Sequence, residues 1–218
     1  MEFGAPTPVI SRNQLLSDLS SMTEISAKPT QEEVLETAQQ LLQEALKRST
    51  TFMASFVGQP DHVAVIVATS KLDELLGFAI RKRLLPCPDK KDDLLDSERG
   101  LGTFSNRISL AYRLGLISAD LARALHLVRR IRNDFAHAYD GQSLDVSPHR
   151  DRVEELATRI ETHPNIAFLR KAIGAIPNIT PQKLSFVIAA TLAIHKLEMI
   201  KPIIDEVNDE ASRHAKFP

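Results

Sequence analysis

Arg132, Asn133, His137 and Tyr139 stand in one short run, Arg132-Asn133-Asp134-Phe135-Ala136-His137-Ala138-Tyr139, whose residue types suit phosphodiester chemistry. Histidine exchanges a proton near neutral pH, as needed to activate a ribose 2′-hydroxyl or to protonate a leaving oxygen, and arginine can stabilise a phosphorane. The spacing limits this chemistry. Positions five apart on a helix diverge by about 140°, so one copy of the run points Arg132 and His137 in different directions. A composite site needs two copies across a two-fold axis. The simpler reading is an arginine in a buried salt bridge and a histidine capping the last carbonyls of its helix.

The element that must position these residues runs from Ser118 to Asp140. Ser118 suits an N-cap, Asp120 suits the positive end of the helix dipole, and Asp140-Gly141 supplies a stop. Leu121, Ala124, Leu125, Leu127, Val128, Ile131, Phe135 and Ala136 fall on one broad arc, which predicts a core-facing stripe. Arg132 lies in the middle of that arc and needs a carboxylate partner or a polar cleft, because a lone buried charge is costly. The segment from His62 to Leu85, HVAVIVATSKLDELLGFAIRKRLL, is apolar nearly all round, so it belongs at the centre of the domain. Ser70, Asp73 and Glu74 are conspicuous on it. Asp73 and Glu74 are therefore expected to pair with Arg132, and Arg107 joins them as a polar position of interest.

The remaining punctuation is helical. Residues 1–29, rich in Ser, Thr and Pro, read as a flexible arm, and Thr30-x-x-Glu33 is a capping box that opens a helix to Lys47-Arg48. Asp61 suits the cap of the central apolar helix, and Pro86-Cys87-Pro88 ends it. A charged run, DKKDD, reads as a solvated loop. A short turn through Asp96, a bend at Gly100-x-Gly102 and a helix from Ser105 to Leu114 stopped by Gly115 follow. Ser147-Pro148 opens a helix to about Glu161, a short helix covers Ala167 to Ala175, and Thr180-Pro181 opens a long apolar helix to about Ile200. No alternating strand pattern appears. The chain is thus expected to be all-α, with a single domain of roughly seven to nine helices over 30–218.

At 218 residues, with a net charge of −1 and one cysteine, the chain shows no global basic character, no internal disulfide and no thiolate cluster. No apolar run reaches membrane-spanning length and no leader pattern opens the sequence, which predicts a cytoplasmic protein with no membrane partner. No metal or cofactor is expected. Ala111, Gly115 and Leu121 have the spacing of a helix-turn-helix, and Arg99 to Arg132 contains seven arginines against one acid, Asp120. The wide apolar stripe after Gly115 argues instead for a core helix, so direct, specific DNA binding is not expected.

Two resemblances follow from these residues. Arg-x4-His with a polar residue after the Arg and a Tyr two beyond the His resembles the signature of HEPN-domain ribonucleases. That resemblance implies a metal-independent endoribonuclease whose site, at a dimer interface, would use Arg132, Asn133, His137 and Tyr139, with RNA as its partner. Three longer segments are more specific. VIVATSKLDELLGFAIRKRLL, LGTFSNRISLAYRLGLIS and LVRRIRNDFAHAY, in that order, resemble the MltR family, regulators named after the mannitol operon repressor. The likeness covers about Val63 to Ile160. It implies a helical, non-catalytic transcriptional regulator that lacks a conventional DNA-binding motif and acts through a partner protein; a homo-oligomer is compatible with it.

Overall fold

The computed structural model describes residues 30–85, 87, 93–96, 99–137, 142–159, 163–164, 166–202 and 204. The expected arm over 1–29, most of the DKKDD loop, Tyr139 and the Asp140-Gly141 stop lie outside them. Described residues form seven helices and no strand, so the protein is all-α. The chain parts into two units, 1–40 and 41–218.

In the first unit, Thr30 and Glu33 form the capping box that opens α1 (Gln31–Ala54). Thr30 N–H donates to Glu33 Oε2 at 2.7 Å, and Glu33 N–H donates to Thr30 Oγ1 at 3.2 Å. The second unit holds the end of α1 and the other helices: α2 (Asp61–Arg83), α3 (Phe104–Arg113), α4 (Ala119–His137), α5 (His149–Thr158), α6 (Ile166–Gly174) and α7 (Pro181–Ile200).

α1 continues past the expected Arg48 because its Ser-Thr run is reconciled with a helix. Ser49 and Thr50 hydroxyls donate to the Leu46 carbonyl, and Phe52 packs against the core. Arg48 then holds Glu198 at 3.0 Å, where a second cation, Lys201, also reaches that buried carboxylate at 3.4 Å.

α2 is the central helix, as its all-round apolar sequence predicts. It packs against α3, α4 and α7, while α7 also carries α5 and α6. The one hydroxyl that each buries without an apolar substitute is satisfied along its own helix, Thr69 by the Val65 carbonyl and Thr191 by the Val187 carbonyl. Asp61 is not the cap of α2. It is the first helical residue, and its carboxylate instead accepts from the Leu144 N–H at 3.0 Å, tying the stretch before α5 to the start of α2.

Short connections fix the entry to α4. Thr103 caps α3 by accepting from the Asn106 N–H at 3.2 Å. At the other end Gly115 has φ +72°, Leu116 N–H reaches the Ala111 carbonyl and Gly115 N–H the Tyr112 carbonyl, a complete Schellman stop. Ser118 then accepts from the Leu121 N–H at 3.2 Å to open α4. On α5 the expected arrangement shifts by one residue: Pro148 occupies the capping position, the helix starts at His149, and it ends at Thr158 rather than Glu161. α7 opens as expected, with Thr180 accepting from the Lys183 N–H at 3.3 Å and Pro181 in the first turn. Among the described residues no helix is long and apolar enough to cross a membrane.

Candidate binding cleft

α2, the start of α3 and the C-terminal half of α4 enclose an open cleft of about 510 Å³. Thr69, Ser70 and Asp73 face it from α2, Gly102 to Ser105 from the α3 entry, and Arg129, Arg132 and Asn133 from α4. Each group arrives there for a local reason. Asp73 follows Ser70 by three residues and Thr69 by four, which places all three on one face of α2. Thr103 and Ser105 lie at the N-terminal turn of α3, whose backbone N–H groups carry partial positive charge.

Asp73, which lines the cleft, is half of an ion pair whose other member lies outside the lining. Arg107 Nη1 approaches Asp73 Oδ1 at 2.8 Å, with the arginine side chain 13% exposed and the aspartate 31%. Oδ1 has no aligned hydrogen bond, so the contact is chiefly electrostatic. Arg107 spends its other donors on carbonyls, Nη2 on Leu95 and Nε on Leu101. Its guanidinium passes over Gly77, where an added Cβ would sit 3.7 Å from Nη1. Burial raises the Asp73 pKa above its ordinary value, and the charges of Arg107 and then Arg132 offset that rise in part.

These positions correct the expected buried Arg132 pair. Arg132 is exposed, donates to Asn133 Oδ1 at 3.2 Å, and acts on Asp73 across the cleft, not through a salt bridge. Glu74 is also exposed and pairs with Lys71 at 2.8 Å. The acid on α2 that matters is Asp73, and its cation is Arg107. Along α4 the predicted stripe is otherwise accurate: Leu121, Ala124, Leu125, Leu127, Val128, Ile131 and Phe135 are buried, whereas Ala136 is exposed. Arg132 and Ala136 lie on the same flank, one turn apart, and that flank leaves the core at the end of α4.

His137 is the exposed last residue of α4 and does not line the cleft. Arg132 and His137 therefore do not converge within one chain. Asp134, between them, turns to α5, where it binds Arg152 and stands 3.8 Å from His149 Nδ1. The helix-turn-helix spacing also resolves as core: Ala111 and Leu121 are buried on either side of the Gly115 stop.

Thr69, Thr103, Phe104 and Ser105 line the cleft without a mark as site residues in the sequence reading, and Arg129 enters that reading only as one of seven arginines. Arg129 lines this cleft and a second groove of about 450 Å³ shared with Arg123, His126, Arg130 and Arg159. Its Nε is buried and has no hydrogen-bond partner among the described residues. The signal was the Arg129-Arg130-x-Arg132 run, which has a cation on each side of the helix. No protein-family model, curated protein or solved structure matches the chain.

Proposed function

We propose that the chain is a non-catalytic regulator of the MltR-like kind, which acts through a partner engaged at the cleft between α2, α3 and α4. One observation carries this reading. The three segments of resemblance, Val65–Leu85, Leu101–Ser118 and Leu127–Tyr139, lie apart in sequence, yet they supply every residue that lines the cleft. The likeness and the concave polar surface thus coincide. Two cations, Arg129 and Arg132, and the Asn133 amide surround one carboxylate already engaged by Arg107, so the cleft suits an acidic feature on the partner. DNA reading by α4 is disfavoured by the burial of its apolar face in the core.

The test is genetic and chemical. A deletion strain is complemented with the native chain or with Arg132→Ala, transcripts are compared, and a photocrosslinker at Ser70 captures what occupies the cleft. Arg132→Ala is expected to leave the deletion transcript pattern in place and to abolish the crosslinked partner. Full restoration of transcripts by Arg132→Ala would overturn the reading.

A second reading has its own observation. Arg132 and His137 are both exposed and so are accessible to a second copy of the chain, as a HEPN-like ribonuclease site across a two-fold axis requires. Metal-independent cleavage of single-stranded RNA, lost on His137→Ala in a folded protein, would put this reading first.

A further inference from the structure

On its other flank α4 borders a second, separate space. A cavity of about 230 Å³ lies among α4, α5 and α7. It exists because small residues meet there: Ala124 on α4 faces Ala189 and Ala193 on α7, and each stops short of filling the gap that a leucine would close. Leu121, Val128 and Leu192 complete an apolar wall whose members are all buried.

The mouth has the opposite character. Arg159 and Lys196 stand around it beside His163, whose pKa burial lowers so that it adds no charge, and among the described residues one acid, Asp120, joins them. Asp120 is held by Arg123 at 3.0 Å, which neutralises much of its field. Arg159 binds Glu155 through Nη2 at 2.7 Å, but its Nε is buried and has no hydrogen-bond partner among the described residues. Lys196 is exposed at the rim, and its charge is felt by His163 beside it. Among the described residues, a buried donor without an acceptor beside an exposed ammonium is an incomplete arrangement that an anionic group would complete.

We propose that this cavity binds a small monocarboxylate with a ring-sized apolar body, the ring lying between α4 and α7 and the carboxylate meeting Arg159 and Lys196. Size supports a ring, since a cavity of about 150 Å³ holds benzene, and this one leaves room for a short substituent. The apolar wall disfavours a ligand charged along its length, because those charges would be buried without partners. The cationic mouth disfavours an amine. The site is distinct from the α2–α3–α4 cleft and does not depend on the regulatory reading.

Three isosteric probes test it on the full chain: benzoate, benzyl alcohol and benzylammonium, with binding followed by calorimetry and by methyl NMR of Val128 and Leu192. Benzoate is expected to bind with a Kd of about 1 mM or lower and to shift those methyls, with benzyl alcohol about tenfold weaker and benzylammonium silent. Lys196→Gln, at an exposed position, is expected to weaken benzoate by about fivefold to tenfold and to leave benzyl alcohol unchanged. Ala193→Leu, which fills the cavity, is expected to abolish both. Should Ala193→Leu fail to fold, the charge-selective effect of Lys196→Gln decides. Equal binding of all three probes, no binding of any, or benzoate binding indifferent to Lys196→Gln would overturn the proposal.

Discussion

On one flank of α4, Arg129, Arg132 and Asn133 look into a cleft that Asp73, paired with Arg107, also lines, whereas on the other Leu121, Ala124 and Val128 wall an apolar cavity closed by α7. Both spaces border the same helix. Their chemistry differs because the neighbours differ: α2 brings an aspartate and hydroxyls to one side, and α7 brings alanines to the other. A helix's own periodicity decides which residues can be buried together, but the helix packed against it decides whether a given flank becomes core, cavity or cleft.

The largest effect is expected on the cavity side. Leu125 is fully buried and lines the cavity, so Leu125→Ala enlarges an existing void and should cost about 3 to 4 kcal/mol, read from the urea midpoint at unchanged slope. A cost below 1 kcal/mol would mean that α4 and α7 collapse together there, and the cavity would not be a fixed feature.

Arg107→Ala should cost about 3 kcal/mol, because it strands Asp73 and releases the Leu95 and Leu101 carbonyls. A neutral result would mean that Arg107 does not hold the carboxylate at the cleft. The contrast with the cavity would then be one of shape alone.

A smaller, pH-dependent effect isolates the carboxylate. Burial raises Asp73 above its ordinary 3.8, so the folded state binds that proton more tightly than the unfolded chain. The stability linked to Asp73 is therefore greatest at low pH, falls as pH rises from about 3.8 through the raised value, and is constant above it. Asp73→Asn lacks this titration, so its stability relative to the native chain should improve as pH rises across that window. A flat difference between the two proteins would show that the arginines cancel the effect of burial on Asp73.

The smallest effect is expected at Arg132. As an exposed residue bound to its sequence neighbour, it should change stability by no more than about 0.5 kcal/mol on mutation to Ala. A loss of several kcal/mol would restore the buried arginine that its place in the α4 stripe suggested.

Arg132 also marks where sequence reading stopped. The α4 stripe, the Thr30 and Thr180 caps, the Gly115 stop and the central place of α2 were all legible, because each depends on periodicity or on a local backbone bond. Arg132 sits in the middle of the same stripe, yet the stripe's flank turns into solvent in the last two turns of α4. That change depends on the gap that α2 and the α3 entry leave beside α4, which no spacing within α4 records. The choice of Arg107 over Arg132 as the partner of Asp73 was hidden for the same reason. Asp61 looked like a cap and instead accepts from Leu144 N–H, a bond across 83 positions of sequence.

Arg107 joins the carbonyls of Leu95 and Leu101 to the carboxylate of Asp73 through a single planar group. The turn at 99–102 that leads into α3 cannot open to solvent without releasing the guanidinium that also balances Asp73. Protonating that carboxylate slackens one of the three ties, so the backbone amides of this turn should take up deuterium faster in acid than their intrinsic chemistry dictates. The charge of a side chain on α2 is in this way written into the exchange clock of a loop more than twenty residues further along the chain.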